Sequence, residues 1–139
     1  MKSLLILVCL FAFFLTGCLR HEYKKAIVNG YTLYAYETNQ DMTLTYFNKY
    51  GGIEIIPPTV FSIGYNKNFI IAKQHPTIYP ANENKNITNY FIVPIKQPVK
   101  WTDNNLAIGP LTEDVFWKWR KKLTIPDTLT FTITYNDIK

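Results

Sequence analysis

The chain is poor in the residues that most reactive and metal-binding sites require. Its 139 residues include two Cys and two His. Ser62 is the only Ser beyond Ser3. A zinc site needs three or four convergent ligands, and Cys9, Cys18, His21 and His75 are too few and too dispersed to supply them. No cofactor or metal is therefore expected. Charge is sparse as well, at 18%. The 15 Lys+Arg against 10 Asp+Glu give +5, without the dense basic clustering of a nucleic-acid binder. A 47% hydrophobic share excludes a disordered chain, and the length suits one domain. Long apolar runs are missing. The densest, Leu4–Leu15, has 12 residues. As a helix it is about 18 Å long, against a hydrocarbon core of roughly 30 Å. Gly51-Gly52 lacks the remainder of any phosphate-binding fingerprint.

What the N-terminus does have is an address. Lys2 precedes an uncharged run that ends in Leu15-Thr16-Gly17-Cys18. The run suits the apolar region of a secretion signal. The four-residue ending resembles the lipobox of bacterial lipoproteins. That resemblance implies lipidation of the Cys18 thiol, acyl groups such as palmitate, and signal-peptidase cleavage between Gly17 and Cys18. Residues 1–17 are then a signal peptide, 18–25 a lipidated Cys with a short tether, and 26–139 one β-rich domain. Two or three acyl chains, at about 0.8 kcal/mol per buried CH₂, hold a protein durably to a bilayer. The mature chain would keep no free thiol. The expected location is a cell membrane or outer membrane, facing the periplasm or exterior.

Beyond Ala26 the dominant sequence period is two. Tyr31–Glu37 and Met42–Phe47 read as a hairpin around Asn39-Gln40-Asp41. Ile53–Ile56 is a short strand stopped by Pro57-Pro58. Val60–Tyr65 and Phe69–Gln74 flank Asn66-Lys67-Asn68 as a second hairpin. Pro76 and Pro80 should end pairing, with an Asn-rich loop over 81–89 and a strand over Tyr90–Ile95. Leu129–Tyr135 alternates strictly between apolar residues and Thr, and predicts a half-buried strand. With the Asn66 hairpin it is expected at the centre of the sheet.

One helix is predicted at about 112–123. Thr112 suits its N-cap, and acids then bases follow the helix dipole. Leu111 and Phe116 fit a hydrophobic staple. Val115, Phe116, Trp119 and Leu123 share a stripe, with Trp117 opposite, beside Lys121. The fold class is thus mainly β (α+β), an antiparallel sheet or small sandwich with this helix packed on it.

Two segments support a family resemblance. One is Val60–Pro76. The other runs from Ile108-Gly109-Pro110-Leu111-Thr112 through the helix to Leu123, Ile125, Pro126 and Asp127. Both resemble a set of small bacterial lipoproteins called domain of unknown function 3997. The resemblance implies a lipid-anchored envelope domain and brings no catalytic residues with it.

Catalytic chemistry is thin. Ser62 lies mid-strand rather than on a sharp turn, and His75 reads as a strand-end residue bonded to backbone. Glu37 and Glu54 could meet across strands, but a glycan hydrolase needs a facing pair, and nothing in the sequence favours one. The protein is therefore expected not to be an enzyme. Surplus aromatics point instead to binding, with Trp117, Tyr34 and Tyr36 as candidate partner or membrane contacts. Expected partners are the bilayer through acylated Cys18, and an envelope protein or cell-wall glycan, with no nucleic acid. The leading reading is a non-catalytic envelope binding module. The alternatives are an immunity or inhibitor lipoprotein against a periplasmic toxin or lysozyme, and a carboxylate-dependent glycan hydrolase.

Overall fold

The computed structural model describes residues 22–78 and 82–139. The lipobox, Gly17 and Cys18 lie outside the described residues. Eleven strands are described: β1 Tyr23–Val28, β2 Tyr31–Ala35, β3 Thr43–Asn48, β4 Gly51–Ile56, β5 Val60–Tyr65, β6 Phe69–Gln74, β7 Thr77–Ile78, β8 Asn82–Glu83, β9 Asn89–Pro94, β10 Ile108–Leu111 and β11 Ile133–Thr134. The one α-helix among the described residues, α1, spans Glu113–Lys122.

All pairing is antiparallel. β1-β2-β3-β4 form one sheet, β10-β9-β6-β5-β11 a second, and β7-β8 a short hairpin. The mainly β fold with one helix is the one the sequence predicts. The period-two pattern also explains how the layers stack. β2, β3 and β4 turn Leu33, Leu44 and Ile56 inward, onto Ile63 of β5, Ile70 and Ala72 of β6, and Phe91 and Val93 of β9. The alternate residues of the same central strands, Ile71, Tyr90 and Ile92, face the other way. They pack with Phe116 of α1, Ile125 and Leu129. The second sheet is therefore covered on both faces, which is why β6 and β9 read as continuous apolar runs. Each fully buried Ile or Leu contributes about 1.5–3 kcal/mol of transfer free energy.

The Asn66 turn forms as its sequence suggests. The Asn66 side-chain oxygen accepts from the N–H groups of Asn68 and Phe69 at 2.8 and 2.9 Å. The crossing between sheets is tied by reciprocal Thr59–His75 backbone bonds of 3.0 Å and by Val60 N–H to the Met42 carbonyl at 2.7 Å.

Several expectations are corrected. Tyr23–Lys25, expected in the tether, belong to β1, whose side opposite β2 is open. The Tyr23 and Tyr135 hydroxyls meet at 2.8 Å and hold β1 to the C-terminal segment. Burial, then that bond, pushes the Tyr135 phenol above its ordinary range. Within 129–135 only Ile133–Thr134 pair, at the edge of the second sheet beside β5 rather than at its centre. Leu129 and Phe131 turn to the helix side, while Ile133 and Tyr135 join the intersheet core. Residues 82–83, expected in a loop, pair with β7, and Asn89 opens β9. β10 was not foreseen. On α1, Thr112 holds the N-cap position, but its side chain makes no capping bond. Val115, expected on the buried stripe, is 37% exposed, whereas Arg120 is buried.

Candidate functional site

The pleat of the first sheet directs one set of side chains away from the core. Tyr34 on β2, Thr43, Thr45 and Phe47 on β3, and Gly52 and Glu54 on β4 share this outer face. With Tyr36 and Asp41 they line a shallow cleft of about 410 Å³. Its side chains are held in place. The Thr43 and Thr45 hydroxyls lie 2.9 Å apart, and Thr43 donates to the Tyr34 carbonyl at 3.1 Å. Tyr34 and Phe47 pack edge to face at 5.5 Å. The Lys24 ammonium sits 5.4 and 5.1 Å from those two ring centres, and pairs with Glu22 at 3.0 Å. Burial, then a bond to Glu22, raises the Tyr34 phenol above its ordinary value.

A second cleft, about 460 Å³, opens where the two sheets part. It is lined by Glu54, Ile55 and Pro57 at the β4 side, and by Gln74 of β6, Asn89 and Phe91 of β9, residues 103–107, and Gly109 and Pro110 of β10. Glu54 lines both clefts, so they adjoin across β4. Both volumes fall in the range of small-ligand sites.

The second cleft is firmly built. Gln74, 4% exposed, donates to the Pro58 carbonyl at 2.8 Å and accepts from the Asn89 amide at 2.9 Å. Gly109 lets bare backbone lie on the Phe91 ring: a Cβ there would be 2.4 Å from Phe91 Cδ1. Asp103 accepts from Lys96 Nζ at 2.9 Å and from the Lys100 N–H at 2.8 Å. These bonds hold its carboxyl below the usual Asp range. The turn they brace carries Trp101, 63% exposed, two residues before the cleft wall begins.

The candidates from sequence divide between this site and elsewhere. Tyr34 and Tyr36 come together on the first cleft. Trp117 lies apart on α1, 46% exposed, with the Arg120 guanidinium 5.0 Å from its ring centre rather than Lys121. Glu54 lines both clefts, and Glu37 lines neither. Ser62 is buried, its hydroxyl 2.8 Å from that of Thr134 and 3.2 Å from the Ile133 carbonyl. His75 Nδ1 lies 2.7 Å from the Ile87 carbonyl, and its ring stacks on Phe61 at 4.2 Å. A carbonyl only accepts, so Nδ1 carries the proton. Sequence reasoning missed Asn89, Asn104, Asn105 and Trp101. The only local signal was the Asn-Asn pair beside a Trp. Among the described residues no group of three or more His, Cys, Asp or Glu is placed to hold a metal. Among them, too, no helix is long and apolar enough to cross a membrane.

Among the described residues, fold and site together define a small two-sheet antiparallel β-protein, backed by one α-helix, with two adjoining clefts that meet at β4 of its first sheet. The chain belongs to the family described as "Protein of unknown function (DUF3997)", which it matches over residues 28–139. No curated protein and no solved structure gives a significant match.

Proposed function

We propose that this protein is a lipid-anchored module of the bacterial envelope that binds an envelope component without transforming it. The observation that carries the reading is the pair of adjoining clefts sharing Glu54. Support for a non-catalytic role comes from how the reactive side chains are used. Ser62 and His75 are bonded within the fold, and Asp103 is committed to Lys96 and the Lys100 N–H.

The anchor rests on the lipobox resemblance. Tyr23, the first residue of β1, comes five residue steps after Cys18. At most ~3.6 Å per residue, they place β1 within about 18 Å of a lipidated Cys18. The first sheet, and with it the clefts, would then work close to the bilayer on exported ligands. The test is retention of isolated envelope protein and glycan fractions on the immobilised full chain. Glu54→Arg puts a cation between the two clefts at an exposed position, and should abolish retention with unchanged circular dichroism. Retention of neither fraction by the parent chain would overturn the binding reading.

A further inference from the structure

We infer that the cleft between the sheets takes an uncharged oligosaccharide, gripped by Glu54, Asn89, Asn104 and Asn105 beside the apolar surface of Pro57, Leu106 and Pro110. The inference rests on the binding-module reading and names its ligand class.

The first argument is charge. No Lys or Arg lines either cleft, and the two ammonium groups beside them are already paired, Lys96 with Asp103 at 2.9 Å and Lys24 with Glu22 at 3.0 Å. Phosphates, nucleic acids and anionic headgroups need cationic partners that these walls do not offer. The second is hydrogen-bonding chemistry. Side-chain amides and a carboxylate provide donors and acceptors in planar groups. Vicinal sugar hydroxyls, each both donor and acceptor, match that set. The third is the apolar component. A sugar ring has a C–H face as well as hydroxyls. Pro57, Leu106 and Pro110 supply apolar surface in the same cleft.

Preorganisation adds to this. Asn89 is fixed through Gln74, which is itself anchored on Pro58. Asn89 therefore has little side-chain freedom left to lose on binding. The Trp101 turn is braced by Asp103 accepting from Lys96 and the Lys100 N–H.

The experiment is calorimetric titration of the full chain with three probes: chitotetraose, cellotetraose, and an uncharged extended Ser/Thr/Val hexapeptide. Binding of at least one tetrasaccharide is expected. Asn104→Ala, Asn105→Gly and Glu54→Ala should each weaken it by about tenfold or more. Asn105 has a φ of 56°, a conformation glycine accepts freely, so Asn105→Gly removes the amide without straining the backbone. Circular dichroism of each variant should match the parent. Tetrasaccharide binding that all three variants leave unchanged would overturn the assignment to this cleft. Binding of the peptide alone would overturn the glycan class and leave the binding module standing. Binding of no probe, with envelope fractions still retained, would do the same. Release of shorter sugars would support glycan recognition and overturn the non-catalytic reading instead.

Discussion

Arg120 is the residue whose replacement tests the packing of the helix most sharply. Its side chain is 4% exposed. One guanidinium nitrogen donates to the Pro126 and Leu129 carbonyls, both at 2.9 Å. The cation also lies 5.7 and 5.0 Å from the Phe116 and Trp117 ring centres. No carboxylate among the described residues lies within salt-bridge distance of it, and its Nε has no partner. Burial pulls its pKa down, opposed by Asp127, yet a guanidinium stays charged at any physiological pH.

Two effects oppose each other here. Replacing Arg120 leaves two carbonyls short of a donor, at about 1–3 kcal/mol each, and removes cation–π contacts of about 1–2 kcal/mol. It also relieves the cost of burying an ion, which is several kcal/mol. If the clamp on residues 126–129 dominates, the net loss should be about 2–3 kcal/mol for Arg120→Met. Met retains most of the stem's packing, so Arg120→Ala should lose somewhat more. In a chain of this size each kcal/mol moves Tm by roughly 3–5 °C. The expected fall is therefore about 6–15 °C. The assay is thermal unfolding of the full chain followed by near-ultraviolet circular dichroism, which reports on Trp117 and Trp119. An Arg120→Met protein as stable as the parent, or more stable, would refute the reasoning. Desolvation would then outweigh the clamp.

Other perturbations test other layers. Gly64→Ala places a Cβ 1.9 Å from the Thr130 carbonyl oxygen. Backbone must move, so a loss of about 2–3 kcal/mol is expected in urea unfolding, and an unchanged midpoint would contradict this close approach. The Asp103 carboxyl is lowered in the folded state, first by its bond to Lys96. Its bracing is complete above the ordinary Asp range and disappears as pH falls through the lowered value. The protection of the Lys100 amide, its exchange rate relative to the intrinsic rate at each pH, should therefore hold until pH falls below the ordinary Asp range, and loss of protection above that range would contradict the bond. Cys18→Ala should move the protein from the membrane fraction to a soluble or uncleaved form, and unchanged acyl labelling would contradict lipidation.

The parts of the fold that were legible are those set by local chemistry. Asn66 announces its turn because its own side chain bonds the backbone two and three residues on. β6 and β9 announce burial on both faces by their apolar runs. Strict alternation over 129–135 was less informative. Alternation specifies which side chains share a side, not whether a neighbouring strand is present to pair. Leu129 and Phe131 follow the helix cluster, and contact with β5 is confined to the end of the segment, where Thr132 and Tyr135 N–H groups bond Ile63 and Phe61 carbonyls on either side of the paired Ile133–Thr134. β1 was hidden by its charges: Lys24 and Lys25 are exposed, as suits a strand with one open side. The cleft was least legible of all. Glu54 and Asn105 are brought to one wall by the stacking of two sheets, a relation no local pattern encodes. Tyr34 and Tyr36 were visible because the alternation of the β2 segment continues one residue past its end at Ala35 and leaves both on one side.

The net charge looks different once it is placed on the structure. A +5 chain suggests attraction to anionic partners, yet charge acts where it stands. Lys118, Lys121 and Lys122 are exposed on α1, and Lys24 and Lys25 on β1. The cleft linings hold Glu54, Asp41 and Asp103 as their charged residues, and the bases beside them, Lys96 and Lys24, are paired with Asp103 and Glu22. The helix packs on the face of the second sheet turned away from the first, so one sheet separates it from the intersheet core. Anionic polymers or headgroups would thus be drawn to α1 and β1 rather than into the groove, leaving the groove to neutral ligands. The basic composition and the base-free site are compatible because the two occupy different surfaces. The bulk charge of this chain describes how it sits among its neighbours, and the local charge describes what it can hold.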